Sequence, residues 1–260
     1  MSIHHKTKLN KLLQAIHRNG VVTTTRLQEL AISPQLARMY VKNGWLQKLG
    51  VGAFARVGES PDWLGGVHAL QSQLGLTVHV AAVSALELQG RAHFVPLGTG
   101  RSVTLVSDQR ESLPRWFTTH KWSVILNHRR LGLFSSLPGD SITQLDCGGF
   151  SVQISPPERA ILEELQLIQS NSALEHAILL MEGLSTLRPG ILQQLLELCT
   201  SVKAKRLLLW SGEHCQHTWM NRIDVTKVDL GAGKRQVFKG GVLDPKYLIT
   251  VPGPEELPNV

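Results

Sequence analysis

With 260 residues, the chain is long enough for two compact domains, or for one domain carrying an appendage. Apolar residues make up 42% and charged residues 18%, which supplies a sizeable core and excludes a disordered, highly charged chain, and no run of 18 or more apolar residues is present to form a transmembrane helix. The net charge of +7 is uneven: up to Gly58, nine basic residues face Glu29 alone, a balance of +8, whereas the other 202 residues hold 18 basic and 19 acidic side chains.

A compact basic module on a near-neutral body is the electrostatic footprint of a polyanion binder, the plainer alternative being a solvated basic surface. The three cysteines, Cys147, Cys199 and Cys215, are odd in number and widely spaced, which suits a reducing cytoplasm better than a disulfide framework. Met1 to Lys6 lacks the apolar stretch of a secretion signal. The expectation is a cytoplasmic protein with no membrane partner.

Leu9, Leu12, Leu13 and Ile16 fall at i, i+3, i+4 and i+7, the stripe of an amphipathic helix that Asn19-Gly20 ends. Val21-Val22-Thr23 is a short β-favouring piece. A second helix is predicted from Thr25, where Thr25 and Gln28 have capping-box spacing, with Leu27, Leu30 and Ala31 inward. Ser33-Pro34 then caps a third helix to Asn43, closed by Gly44. Leu36, Ala37, Tyr40 and Val41 point inward, and Gln35, Arg38 and Lys42 share the opposite face.

Two helices joined by a tight turn, the second with a polar and basic outer stripe, form a helix-turn-helix. Gln35 suits adenine and Arg38 suits guanine in the major groove, because each can bond in bidentate fashion. Ser33 and Lys42 suit phosphate, and Arg26 is a further DNA-binding candidate. Trp45 to Leu49 and Ala53 to Val57 read as strands turned through Gly50-Val51-Gly52, a wing whose Lys48 and Arg56 are candidate phosphate contacts. The alternative is a three-helix bundle whose polar stripe meets only water. On this reading residues 1–58 are a winged helix-turn-helix domain, followed by a larger domain at 59–260.

Ser60-Pro61-Asp62 reads as a short linker and cap for a helix to Leu74, with Trp63, Val67, Leu70 and Leu74 inward. Strands are predicted at 78–80, 92–96, 102–106, 123–127 and 150–154, with a short helix at 84–88 and a helical turn at 113–117. Ser155-Pro156-Pro157-Glu158 opens a helix to Ile168, and further helices are predicted at 172–183, 189–200 and 203–213. Strands return at 236–238 and 247–251. Strands grouped early and helices later predict a larger mixed α+β domain rather than alternating βαβ units.

Catalytic patterns are thin. His214, Cys215 and His217 invite a zinc reading, but no second ligand pair stands out. Gly231-Ala232-Gly233-Lys234-Arg235 lacks the glycine spacing and the Ser/Thr of a phosphate loop. Asp108 and Glu111 lie close together, yet no strand lysine follows at a nuclease spacing, and Asp146 ends a strand-like piece alone. No serine sits in a Gly-x-Ser-x-Gly elbow. The residue patterns assign no catalytic residue, no metal and no cofactor.

Short stretches along the chain carry a resemblance: Ile32-Ser33-Pro34-Gln35-Leu36, Gly44-Trp45-Leu46 with Gly50-Val51-Gly52-Ala53-Phe54, and Ala69-Leu70-Gln71-Ser72-Gln73-Leu74. Ser84-Ala85-Leu86-Glu87-Leu88-Gln89-Gly90, Pro157-Glu158-Arg159-Ala160 and Glu182-Gly183-Leu184-Ser185-Thr186-Leu187-Arg188-Pro189 continue it, and Leu230 to Arg235 and Tyr247 to Pro252 close it. In these the chain resembles the AbiEi-type antitoxins of bacterial type IV toxin–antitoxin systems. The resemblance implies an N-terminal domain that binds repeats in its own promoter and represses its operon. It implies a C-terminal domain that counters a cognate nucleotidyltransferase toxin without necessarily forming a stable complex with it. A second basic surface is expected from Arg159, Arg188, Lys205, Arg206, Lys234 and Arg235, which read equally as solvated charges and local ion pairs. Two other functions fit the residues alone: a nucleic-acid-processing enzyme delivered by the winged helix, and a transcription factor whose C-terminal body senses a ligand or oligomerises.

Overall fold

The structure, a computed structural model, describes residues 3–92, 100–237 and 240–253. The leucine stripe forms helix α1 (Ile3–Ala15), with Leu9, Leu12 and Ile16 buried and Asn19 in the left-handed conformation at φ 56°. Strand β1 (Val22–Thr23) leads directly into α2 (Thr24–Glu29). The cap of α2 is Thr23, whose Oγ1 accepts from Arg26 N at 3.3 Å, two residues earlier than the Thr25 expected. An N-cap needs extended backbone, which the end of β1 supplies, whereas Thr25 already lies inside the helix. Ala31, expected inward, is exposed and left-handed (φ 55°), part of the turn between helices.

Helix α3 (Pro34–Lys42) has the expected design: Ser33 Oγ accepts from Leu36 N at 3.2 Å, and Gly44 has φ 72°. Its inner residues Leu36, Ala37 and Tyr40 join α1 and Leu46 in one core. The wing is β2 (Leu46–Gly50) and β3 (Ala53–Arg56), and the three strands form an antiparallel sheet of order β1-β3-β2.

Helix α4 (Trp63–Leu74) is capped by Asp62, whose carboxylate accepts from Gly65 N at 2.7 Å. It carries two helix-weakening glycines for a steric reason. A Cβ on Gly65 would lie 2.6 Å from Asn19 O, and one on Gly66 would lie 2.7 Å from the Trp122 ring. The same helix closes the free edge of β1, because Gln73 accepts from Thr23 N at 2.8 Å and donates to Val21 O at 2.7 Å.

Strand β4 (His79–Val80), helix α5 (Ala82–Leu88), strand β5 (Ser102–Ser107), helix α6 (Arg115–Thr119) and strand β6 (Ile125–Arg130) come next. Of the strand expected at 92–96, residues 93–96 lie outside the described residues. Strands β7 (Thr143–Asp146), the strand-like piece that Asp146 ends, and β8 (Ser151–Ile154) complete a five-stranded sheet of order β6-β5-β4-β8-β7. β5 and β6 run parallel through α6, a local crossover within an α+β protein.

Helices α7 (Pro157–Leu167), α8 (Asn171–Glu182), α9 (Pro189–Leu198) and α10 (Val202–His214) then pack around one leucine-rich core that includes α5. The tail pairs β9 (Val242–Asp244) with β10 (Ile249–Val251), antiparallel. The sequence pattern does not predict β9; of the strand expected at 236–238, Gln236 and Val237 are not in a strand and Phe238 lies outside the described residues. The chain forms two compact units, Met1–His79 with Gly98–Arg130 and Gln144–Gln153, and Val80–Leu97 with Leu131–Thr143 and Ile154–Val260.

In the first unit, α6 lies hard against the wing. A Cβ on Gly50 would sit 2.8 Å from Trp116 Cβ and 3.0 Å from its Cα. Gly50→Ala should therefore cost about 1–3 kcal/mol by overpacking, read as a lower urea midpoint. A wild-type midpoint would mean that α6 can move off the wing freely.

Candidate nucleic-acid interface

Helix α3 turns its polar stripe outward: Ser33, Gln35, Arg38 and Lys42 are all exposed. Ser33 spends one oxygen lone pair on the helix cap, which leaves its O–H free to donate. Between α2, α3 and the wing runs a groove of ≈ 370 Å³ whose lining includes Ala37, Val41 and Phe54 together with Arg38 and Lys48. Arg38, Lys42 and Lys48 make no ion pair among the described residues, so their charges are available to a ligand. The tip of the wing is Val51, 82% exposed.

The hairpin is tied to α3 at its base, where Trp45 N donates to Tyr40 O at 2.9 Å and Leu46 is buried beneath the helix. This fixes Lys48 relative to the Gln35, Arg38 and Lys42 stripe. The arrangement can place cations on two sides of a narrow, curved anion and polar side chains between them.

Two of the expected DNA contacts are not brought to this groove. Arg56 is half-buried and directed inward: Nη2 donates to Ile16 O at 2.7 Å and Nη1 pairs with Glu59 at 3.3 Å. It ties the end of α1 to the wing. Arg26 pairs with Glu29 at 2.7 Å and lines a separate cleft with His17, His68 and Phe150. That pair is exposed, of a kind worth little in water and readily exchanged.

The expected second basic surface does not assemble. Arg159, Lys205 and Arg206 are 5%, 3% and 1% exposed, so they contribute no surface. Arg159 is bound to Glu163 at 2.6 Å, within a buried group in which Glu163 also accepts from Ser155 Oγ and Ala82 N. Arg206 donates to the carbonyls of Leu230, Gly231, Gly233 and Leu248, and so holds the glycine-rich turn from beneath. Burial of the guanidinium, and then nearby Arg235, pulls its pKa downward. Arg188 is committed to buried Glu158 through both its backbone N–H and its side chain. Lys234 and Arg235 are exposed.

The histidine–cysteine cluster has packing duties. His217 is buried, bonds Met181 O at 2.7 Å and stacks on Trp219, while His214 stacks on Trp210. Burial pushes the Cys215 thiol up to about 12. Among the described residues no three His, Cys, Asp or Glu side chains gather as a metal site, and no helix is long and apolar enough to cross a membrane. Sequence patterns do not single out Thr23 and Gln73, which position α2 and β1, or Trp116, which braces the wing. A helix-cap pattern shifted by two residues is the only signal for Thr23, and the other two side chains have none.

Residues 5–97 match the family described as transcriptional regulator, AbiEi antitoxin N-terminal domain. Residues 100–252 match the family described as transcriptional regulator, AbiEi antitoxin, type IV toxin–antitoxin system. Among solved structures, the fold is similar to that of the RV2827C protein from Mycobacterium tuberculosis, with a TM-score of 0.57 and 15% identity, covering 96% of this chain and 92% of that one. No curated protein sequence matches the chain.

Glu158 gives the second unit a pH signature. Burial alone would raise its pKa, but the hydrogen bonds from Arg188 outweigh burial and hold it below the ordinary value of 4.5. A depressed folded-state pKa gives stability that is complete above the unfolded value and lost as pH falls through the folded one. Glu158→Gln should therefore cost about 1–3 kcal/mol at pH 7, with the deficit narrowing below pH 4.5. Urea midpoints of both proteins from pH 7 to pH 3 test this, and a deficit that does not change with pH would refute it.

Proposed function

The chain belongs to the AbiEi antitoxin family of type IV toxin–antitoxin transcriptional regulators, and from that premise we propose that it represses its own operon by binding double-stranded promoter DNA. Residues 1–58 are the DNA-binding module and 59–260 the antitoxin domain, which counters a nucleotidyltransferase toxin encoded beside it. The protein acts in the cytoplasm, as a binder rather than an enzyme.

The observation that carries this reading is the exposed Gln35, Arg38 and Lys42 stripe, which makes no ion pair among the described residues, beside a wing that presents Lys48. Gln35 and Arg38 read base edges, Ser33, Lys42 and Lys48 hold phosphates, and Arg26 exchanges Glu29 for a phosphate at the flank. Arg56 supports the interface by fixing the wing to α1.

Binding to a duplex from upstream of the gene should weaken steeply with salt, because each phosphate contact releases counterions. Arg38→Ala should cost about 1–3 kcal/mol and relax preference at one base position. Lys42→Ala should weaken all sequences alike and lower the salt slope by about 1. Fluorescence anisotropy on matched and scrambled duplexes checks both, and unchanged affinity in the Arg38 and Gln35 variants would remove α3 from the recognition role.

A further inference from the structure

The segment 98–130 carries a feature that duplex binding leaves unused. Six cations, Arg101, Arg110, Arg115, Lys121, Arg129 and Arg130, are all exposed, and the segment holds only Asp108 and Glu111 against them. Both carboxylates are occupied: Glu111 accepts from Thr77 N and Val78 N, and Asp108 accepts from Arg110 N. Between α6 and β6 lies a slot of ≈ 160 Å³ lined by Phe117, His120, Trp122, Leu126 and His128 among others. That is well below the ~300–1,000 Å³ typical of pockets for drug-sized ligands, and suits one flat ring system.

The slot's chemistry is that of a stacking platform. Trp122 packs edge-on to His120, ring centroids 4.4 Å apart, and its Nε1–H is already bound to Phe117 O. His128 is engaged with Ser107 at 2.8 Å. The His120 ring makes no hydrogen bond among the described residues, and burial lowers its pKa, so near neutrality it offers one donor and one acceptor. Lys121 lies between His120 and Trp122 in sequence, and Arg129 and Arg130 follow His128, whose pKa is lowered by burial and then by Arg130, against the opposing pull of Glu111.

We propose that this slot binds a nucleotide, with the base against Trp122 and His120 and the phosphate on Lys121, Arg129 and Arg130. Aromatic faces interleaved with cations are the chemistry by which proteins hold unpaired nucleotides. A base inside a duplex stack cannot enter, so the source is either a free nucleotide or an unpaired base of a single strand. The site is independent of α3 and does not rest on promoter binding.

Calorimetric titration of the full chain with the four nucleoside monophosphates, and with short single-stranded RNA and DNA homopolymers, tests the proposal. His120→Ala and Trp122→Leu should weaken binding roughly 5- to 150-fold, the range for losing one base stack, while Trp122→Phe retains most of it. Because Trp122 also packs on Gly66, the half-buried His120 variant and a thermal melt guard against misfolding. Lys121→Ala with Arg129→Ala should lower both affinity and its salt dependence, and Arg38→Ala should leave binding of the nucleoside monophosphates unchanged. Tighter binding of a homopolymer than of its monomer, lost in the His120 and Trp122 variants, identifies a single strand as the source, and a slot-dependent affinity equal for both identifies a free nucleotide. No binding of any of these at millimolar concentration, or wild-type binding by the His120 and Trp122 variants, overturns the proposal. Loss of promoter binding in the Arg38 variant alone bears only on the α3 assignment.

Discussion

What the N-terminal module presents outward depends on a strand of two residues, Val22 and Thr23, held at both edges. One edge pairs with Phe54 and Ala53 of the wing, and the other meets the Gln73 side chain, whose amide substitutes for a neighbouring strand. Thr23 serves three elements at once: its backbone belongs to the sheet, its N–H is bound by Gln73 and its hydroxyl caps α2. A two-stranded hairpin alone is marginal in water, so the third strand and its amide clamp make the wing a fixed element. Through α2 and the turn at Ala31, the same strand sets where α3 begins.

The two units use the same residue types in opposite ways. On α3 and the wing, Arg38, Lys42 and Lys48 stand in water and make no ion pair among the described residues. In the second unit, Arg159 and Arg206 are surrounded by protein acceptors, and Lys203 donates to the carbonyls of Gln166 and Ile168 at the end of α7. A buried cation left without acceptors would cost several kcal/mol, so these side chains are structural ties. The first unit holds 15 basic and 6 acidic residues and the second 12 and 14, so the difference in fate coincides with a difference in net charge.

Much of this was legible in the sequence, because local patterns are carried by neighbours in the chain. The stripe of α1, the Ser33-Pro34 start of α3 and the glycine-turned wing result from helix periodicity, capping and turn chemistry acting over a few residues. What failed had distant causes. Arg206 looks like a surface charge until α10 is packed, because its acceptors lie on other segments; Leu248 is 42 residues away. Arg159 has its partner Glu163 four residues on in α7, and what the sequence hides there is that packing buries the pair. Gln73 is an ordinary helix residue in sequence, and its partners lie 50 and 52 residues away. The capping-box spacing at Thr25 and Gln28 was real but lost to Thr23, where extended backbone met the cap requirement first.

The close approach of Trp116 to Gly50 links rigidity to recognition. One face of β2 packs toward α3 through Leu46, while the backbone of α6 comes against Gly50 next to the wing tip. A wing held in this way keeps Lys48 at a set distance from Arg38 before any ligand arrives, which reduces the ordering cost that a free hairpin would bring to binding. The glycine is what permits that approach, since a side chain at position 50 would displace either α6 or the strand. The brace leaves Val51, at 82% exposure, as the part of the wing that projects beyond its supports. The spacing between the α3 stripe and the wing is therefore set by folding, and only the long side chains of Arg38, Lys42 and Lys48 would remain for a bound ligand to order.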